Sequence, residues 1–153
     1  MRNSEWEKKI EKARYIERQI LKWYQRNISG TASLASFHRE TYDIFCPQVG
    51  NVEVKEDRIA HQTKNYAFEY EDAEGKPSGI EITIAKQFVI VDWKYVIFIA
   101  TESLKYLIKE SKTKRIINMG YTTANGKQAK GWLIHKDEIL LSPYAKVKKR
   151  WFK

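Results

Sequence analysis

Cysteine is almost absent from this chain: Cys46 is the only one in 153 residues. A single thiol builds no internal disulfide and leaves no cysteine-ligated zinc or iron–sulfur site within one chain, so a reducing, cytoplasmic setting is expected. Long apolar runs are missing too. The opening MRNSEWEKKIEKAR is too charged for a secretory signal, and no run approaches the ~18 apolar residues of a membrane helix. Internal repeats, low-complexity tracts and linkers are also lacking, so one domain over residues 1–153 is expected. That length supports a core without disulfides or metals as staples.

Acidic residues are in deficit, with 19 Asp and Glu against 28 Lys and Arg, a net charge of +9. The excess is uneven, because KVKKRWFK at residues 146–153 holds five basic residues and no acid. Such a surface favours polyanions, since each phosphate neutralised releases condensed counterions. DNA is therefore the leading partner, and Lys148, Lys149 and Arg150 are its first candidate contacts, with Trp151 and Phe152 beside them for stacking or a dimer contact. Lysine enrichment for solubility alone is the plainer alternative. The remaining composition, 42% hydrophobic and 31% charged, is that of an ordinary globular protein.

Periodicity supplies the elements. Ser4 and Glu7 form a capping box, and Trp6, Ile10, Ala13, Ile20 and Tyr24 recur at helical spacing, which predicts a long helix over 4–25 ended by NISG at Gly30. TYDIFC, VEVKE and NYAFEYE read as three strands. IEITIAKQ fits a short helix leading into the apolar strand FVIVDW. KYVIFIA follows as another strand, Thr101 caps a helix ESLKYLIKE, and RIINMG with GWLIHK forms a hairpin around Asn125-Gly126 before the basic tail. The expected architecture is α/β, a central mixed sheet flanked by helices, with the first helix over one face.

The chemistry concentrates in YDIFCPQVGNVEVKED, residues 42–57. In a strand, side chains at i and i+2 share a face, so Glu53, Lys55 and Asp57 point one way and Val52 and Val54 the other. If Asp43 ends the neighbouring strand, its carboxylate meets that of Glu53. Together with the Val54 carbonyl they make an all-oxygen site suited to Mg²⁺ or Mn²⁺. Lys55 beside such an ion can orient water and offset charge at phosphorus, which is phosphodiester hydrolysis in outline. Spacing alone also permits a wet sheet surface on which Glu53 and Lys55 merely pair.

The arrangement resembles the PD-(D/E)xK nuclease superfamily, with Asp43 at the first acid, Glu53 at the second and Lys55 at the lysine, and with Tyr42 in place of the motif's proline. GNVEVKED, Thr63, Asn65, Glu69 in FEYE, GKPSGI, Thr83 and GWLI extend the likeness over roughly residues 40–135, to a small phage-type, resolvase-like branch. Lys64 stands where that pattern has a turn glycine, and Lys86 where it has an acid. The resemblance implies a restriction-endonuclease-like core and a metal-dependent DNA endonuclease, homodimeric and acting inside a cell, a phage host included. A Holliday-junction resolvase of the same fold and a noncatalytic DNA-binding protein that keeps the fold are the alternatives.

Other positions divide between function and plain structure. Glu17 interrupts the stripe of the first helix. It is either a wet edge paired with a base, or a third acid that completes the site, as first-helix glutamates do in relatives of the superfamily. EGKPSG lacks the spacing of a nucleotide-binding loop and serves as a turn, or places Lys76 and Ser78 on a DNA phosphate, with Lys64 as a further phosphate contact. His38, His61 and His135 show no metal-ligand spacing, though His38 precedes Asp43 on the same segment.

Overall fold

A computed structural model describes residues 4–35, 42–120 and 122–153. His38 and Thr41 lie outside the described residues. Helix α1 spans Ser4–Asn27, with Glu5 and Glu7 in its first turn and Arg26 in its last, charges that complement the helix dipole. Its buried stripe is Ile16, Ile20 and Tyr24, spaced four apart, and Leu21 and Trp23 pack at its edges. The expected stripe thus holds only over its C-terminal half: Trp6 is 58% exposed, and Ala13 is also exposed. Length explains the difference. A helix of 24 residues is ~36 Å long, whereas strands of five to seven residues cover only ~17–23 Å.

Strands β1 (Ser33–Leu34), β2 (Ile44–Cys46) and β3 (Gly50–Glu56) come next. The short helix α2 (Ala60–Thr63) leads into β4 (Asn65–Glu71), and a single 3₁₀ turn at Gly79–Glu81 precedes β5 (Gln87–Val91) and β6 (Tyr95–Ala100). Helix α3 (Thr101–Glu110), β7 (Arg115–Met119), β8 (Ala129–His135), helix α4 (Asp137–Leu140) and β9 (Lys146–Lys149) complete the chain. The main sheet has six strands in the order β1-β2-β3-β5-β6-β9. Only the β3–β5 pair is parallel, so the sheet is mixed. A second, antiparallel sheet runs β4-β8-β7.

Four local expectations change. NYAFEYE is not the third strand of the main sheet, because β5, apolar from Phe88 to Val91, takes the place beside β3. A strand buried on both faces needs partners on both edges, whereas β4 buries only Tyr66 and Phe68, so it caps the sheet from outside. Thr101 does not cap α3: Ala100 holds the cap position, and the Thr101 hydroxyl is buried without a hydrogen bond. KVKKRWFK is not a loose tail, since Lys146, Lys148 and Lys149 lie on β9, paired from Lys146 opposite Phe98 to Lys149 opposite Tyr95. IEITIAKQ contributes only the end of the 3₁₀ turn, with Ile82 and Ile84 exposed.

The main sheet separates two cores. On the α1 side Ile16, Ile20 and Tyr24 pack on Val52, Val89, Val91, Val96 and Phe98. On the other side Phe88, Ile90, Ile97 and Ile99 meet Tyr66 and Phe68 of β4, Ile134 of β8 and Leu104 of α3. The described residues contain no helix long and apolar enough to cross a membrane.

Lys64, where a turn glycine was expected, has φ +61 and is the only non-glycine residue with positive φ among those described. Its backbone N–H closes α2 on the Ala60 carbonyl at 2.7 Å. A left-handed residue with a Cβ costs roughly 1–2 kcal/mol. Lys64→Gly should therefore raise the unfolding free energy by about 1 kcal/mol in urea titration.

Candidate active site

The register of β2 on β3 places Asp43. Ile44 lies opposite Val52, and one residue earlier the Asp43 N–H donates to the Val52 carbonyl at 2.9 Å. The strands part there, and the Val54 N–H, left without a strand partner on that edge, donates to Asp43 Oδ2 at 2.7 Å. A strand residue's N–H and C=O lie on the same edge, so the Val54 carbonyl opens toward Asp43 as well. Glu53 and Lys55 point to the opposite face of β3 from Val52 and Val54, the two valines that join the α1-side core. Asp43, Glu53, Val54 and Lys55 line a cavity of about 240 Å³, closed by Phe68 and Glu69 of β4, Gly79, Ile80 and Phe88.

Burial in this cavity governs the charges. The Glu53 carboxyl is pushed up to about 7, first by burial and then by Asp43, with Lys55 pulling the other way. Asp43 is raised by burial, and the Val54 N–H and Glu17 restrain the rise. Glu17 meets Asp43 directly. Its carboxyl is pushed up to about 7 by burial, by the Asp43 charge and by a hydrogen bond to Asp43, against weaker opposition from Arg14 and Arg18. Glu17 is thus the partner that keeps the proton, donating to the Asp43 carboxylate. The position that breaks the apolar stripe of α1 is in contact with the acid of the opening motif.

Lys55 does not sit on a wet surface paired with Glu53. Its Nζ lies 3.5 Å from Asp57 and retains contact with solvent through a side chain 24% accessible, while Asp57 is 4% accessible. The ammonium also lies 5.6 Å from the centre of the Phe68 ring. Burial pulls its pKa below the usual lysine range, and Asp57, then Glu53 and Glu56, restrain the drop. Asp57 is held in turn by the Ala67 N–H at 3.2 Å. Sequence spacing places Asp57 on the Lys55 face but assigns it no task; the i+2 acid after the lysine was the available signal.

The GKPSGI segment forms the cavity wall opposite β3. Ser78 Oγ donates to Glu69 Oε2 at 2.8 Å, so the hydroxyl faces an acid, and Lys76 pairs with Glu74 at 3.6 Å with both side chains about three-quarters exposed. Gly79 has φ +53, and a Cβ there would stand 2.2 Å from the Glu69 carbonyl oxygen. Glu69, Gly79 and Ile80 come from other elements with no local link to Glu53, and Phe88 stands beside it because the β3–β5 register sets the two opposite one another.

The remaining candidates lie elsewhere. Lys64 is exposed at the end of α2. Lys148 and Lys149 lie on the β9 edge, and Arg150 folds back, its guanidinium donating to the Phe152 carbonyl at 2.9 Å and the Asp92 carbonyl at 3.1 Å. Phe152 packs against Tyr15, whereas Trp151 is exposed. His61 packs edge-on against Trp93, and His135 accepts a hydrogen bond from the Asp137 N–H.

Among the described residues no three His, Cys, Asp or Glu side chains close into a ready metal cage. Asp43 and Glu53 nevertheless fit a hard divalent cation in kind. They are two oxygen donors facing one cavity with a main-chain carbonyl beside them, and their raised pKa values show that a positive charge there is wanted. Compared with known proteins, the chain matches no protein-family model and none of the curated sequences.

Two tests arise from this geometry. A carboxyl whose folded pKa is raised from 4.5 to about 7 adds stability that is fully present below 4.5 and is lost as pH rises through 7. In EDTA, Glu53→Gln should therefore gain in melting temperature relative to the wild type between about pH 5 and 8, the difference growing with pH. Gly79→Ala, which must move the Glu69 carbonyl or the wall, should cost more than about 2 kcal/mol in urea titration.

Proposed function

We propose that this chain is a Mg²⁺- or Mn²⁺-dependent DNA endonuclease with a restriction-endonuclease-like core. The observation that carries the reading is the convergence of Asp43, Glu53 and Lys55, from two strands, on one sheltered cavity. The antiparallel β2–β3 and β5–β6 pairs around the parallel β3–β5 step, with α1 on one face and α3 on the other, support the fold assignment.

Asp43, Glu53 and the Val54 carbonyl are the groups that would hold the ion, and a bound Mg²⁺ supplies charge against the scissile phosphate and acidifies a water. Asp43 is fixed by the Val54 N–H and by Glu17, so its free oxygen has one orientation. Glu17 acts through Asp43 and is a positioning residue: it holds a proton when the site is empty and releases it when positive charge arrives. Lys55, lowered in pKa and anchored by Asp57, hydrogen-bonds the attacking water and offsets the charge that develops on the phosphate oxygens. The water oxygen forms the new bond to phosphorus as its proton passes to solvent, the bond from phosphorus to the leaving oxygen breaks, and that oxygen takes a proton from solvent. The exposed Lys64 and Lys149 and the half-buried Lys148 hold the DNA backbone without reading its sequence.

Nicking of supercoiled plasmid tests this. Cleavage should appear with Mg²⁺ or Mn²⁺ and be absent in EDTA or with Ca²⁺. Asp43→Asn, Glu53→Gln and Lys55→Ala should each lose at least ~100-fold in rate, and Glu17→Gln about 10-fold, with a larger metal requirement. Equal cleavage in EDTA overturns the metal role. Plasmid binding without nicking by the wild type under every metal condition assigns the chain to noncatalytic DNA binding.

A further inference from the structure

Among the stretches of this chain without acidic residues are 18–35, which covers the second half of α1, and 139–153, which covers β9 and the residues after it. The fold lays them side by side. A cleft of about 540 Å³ runs between α1 and β9, lined by Lys22, Trp23, Arg26, Lys148, Lys149 and Trp151, with only amides between them. Lys22 and Arg26 are one helical turn apart, so they share a flank of α1. Lys146 and Lys148 share a face of β9, and both ammonium groups lie over the Trp23 ring, at 5.4 and 6.0 Å from its centre. Among the described residues no ion pair joins any of these cations to an acid. Trp151 closes one side of the cleft with 43% of its surface exposed.

The cleft is separate from the acidic cavity. β9 is the far edge of the main sheet, three strand spacings from β3, or ~14 Å. On α1, Glu17 and Lys22 are five residues apart, which turns them about 140° from one another around the helix axis. One flank of the helix faces Asp43 and the other faces β9.

We propose that the α1–β9 cleft binds single-stranded nucleic acid. Its phosphates lie among Lys22, Arg26, Lys148 and Lys149, and an unpaired base stacks on Trp151. The charge selects a polyanion, and the fixed cluster of cations without counter-acids makes the selection strong. The aromatic group selects among polyanions. A duplex keeps its base faces stacked inside and offers nothing to an indole, whereas a single strand offers every base. The size agrees, since a cleft of this volume has the dimensions of a small-ligand pocket rather than of a surface that follows a duplex. Trp23, covered by two lysine side chains, sets the floor on which the cationic rim rests. This site shares Lys148 and Lys149 with the DNA-holding surface of the nuclease reading, goes beyond it in naming a single strand and its stacking residue, and does not depend on the metal centre.

Fluorescence anisotropy with a labelled oligo-dT of about ten nucleotides, in EDTA, tests the site. The single strand should bind more tightly than a duplex of equal length. Lys22→Ala/Arg26→Ala should weaken binding at least ~10-fold and flatten the log K against log salt slope by about 1.4, at ~0.7 per contact. Lys105→Ala/Lys109→Ala on α3, with the same change in net charge, should change neither by more than ~2-fold. Trp151→Leu should weaken single-strand binding at least ~5-fold and leave duplex binding unchanged, while Trp151→Phe, which keeps a ring, stays within ~3-fold of the wild type. Duplex binding as tight as single-strand binding overturns the proposal, as does an equal loss from the α3 variant. Equal loss from the Phe and Leu variants assigns Trp151 to packing and removes the stacking contact. Displacement of the oligonucleotide by poly-glutamate at equal charge concentration would reassign the cleft to acidic peptides. Binding is read in EDTA, where the nuclease reading expects no cleavage, so this outcome stands apart from any result of the nicking assay.

Discussion

Strand β3 must satisfy two incompatible environments with consecutive residues, and the rest of the molecule is arranged around that demand. Val52 and Val54 face α1 and complete an apolar core, while Glu53, Lys55 and Asp57 face the other way, into a layer that is also mostly apolar. An ionised group left there without partners would cost several kcal/mol. Pleating fixes the alternation, so the strand cannot relieve the conflict by shifting one residue without exposing the valines to the charged side. The relief is local: β2 ends early enough to let the Asp43 carboxylate take the Val54 N–H, and Asp57 pairs with Lys55.

That relief is incomplete on the acidic side. Lys55 and Asp57 settle each other, and the Ala67 N–H settles Asp57 further. Asp43 and Glu53 are then left facing one another across the cavity, with Glu17 against Asp43; burial raises all three, and the Asp43 charge raises Glu53 and Glu17 further. Two of them come to about 7, so near neutral pH the site holds protons it gives up readily. A proton and a divalent cation are alternative answers to the same excess of negative charge. A protein shaped only for stability would more simply have apolar side chains there, since buried ionic groups seldom repay their desolvation.

Much of this was legible in the sequence because strand geometry has a strict period. The i, i+2 rule places Glu53, Lys55 and Asp57 together, and the break in the α1 stripe marks Glu17 for a partner. The elements themselves, from α1 to the β7–β8 hairpin around Gly126, come from periodicity and turn chemistry. Partners across elements were not legible. Nothing in NYAFEYE says that it leaves the main sheet for a second one, a choice made by the stronger claim of the apolar β5 to a place beside β3. The reach of the α1 stripe failed at Trp6 and Ala13 because the period describes a helix face and not how much sheet lies beneath it. Glu69 and Gly79 enter the cavity through packing between elements, and Phe88 through the pairing of β5 with β3 that sets it opposite Glu53, so no local spacing announces them.

The net charge of +9 acquires a different meaning once its placement is known. An acidic cavity repels the phosphates of a polyanion, and the repulsion acts over about a Debye length, roughly 8 Å at physiological ionic strength. Beyond that range the cations of α1 and β9 dominate the field that an approaching strand meets. Lysine on β9 also protects the fold, because an edge strand with unpaired N–H and C=O groups invites pairing with another chain, and a row of like charges opposes it. The same residues thus keep the sheet edge from extending and give the surface its positive face, which is why the basic segment is a paired strand. A loose arm would carry the charge equally well but would leave β6 as the apolar edge of the sheet.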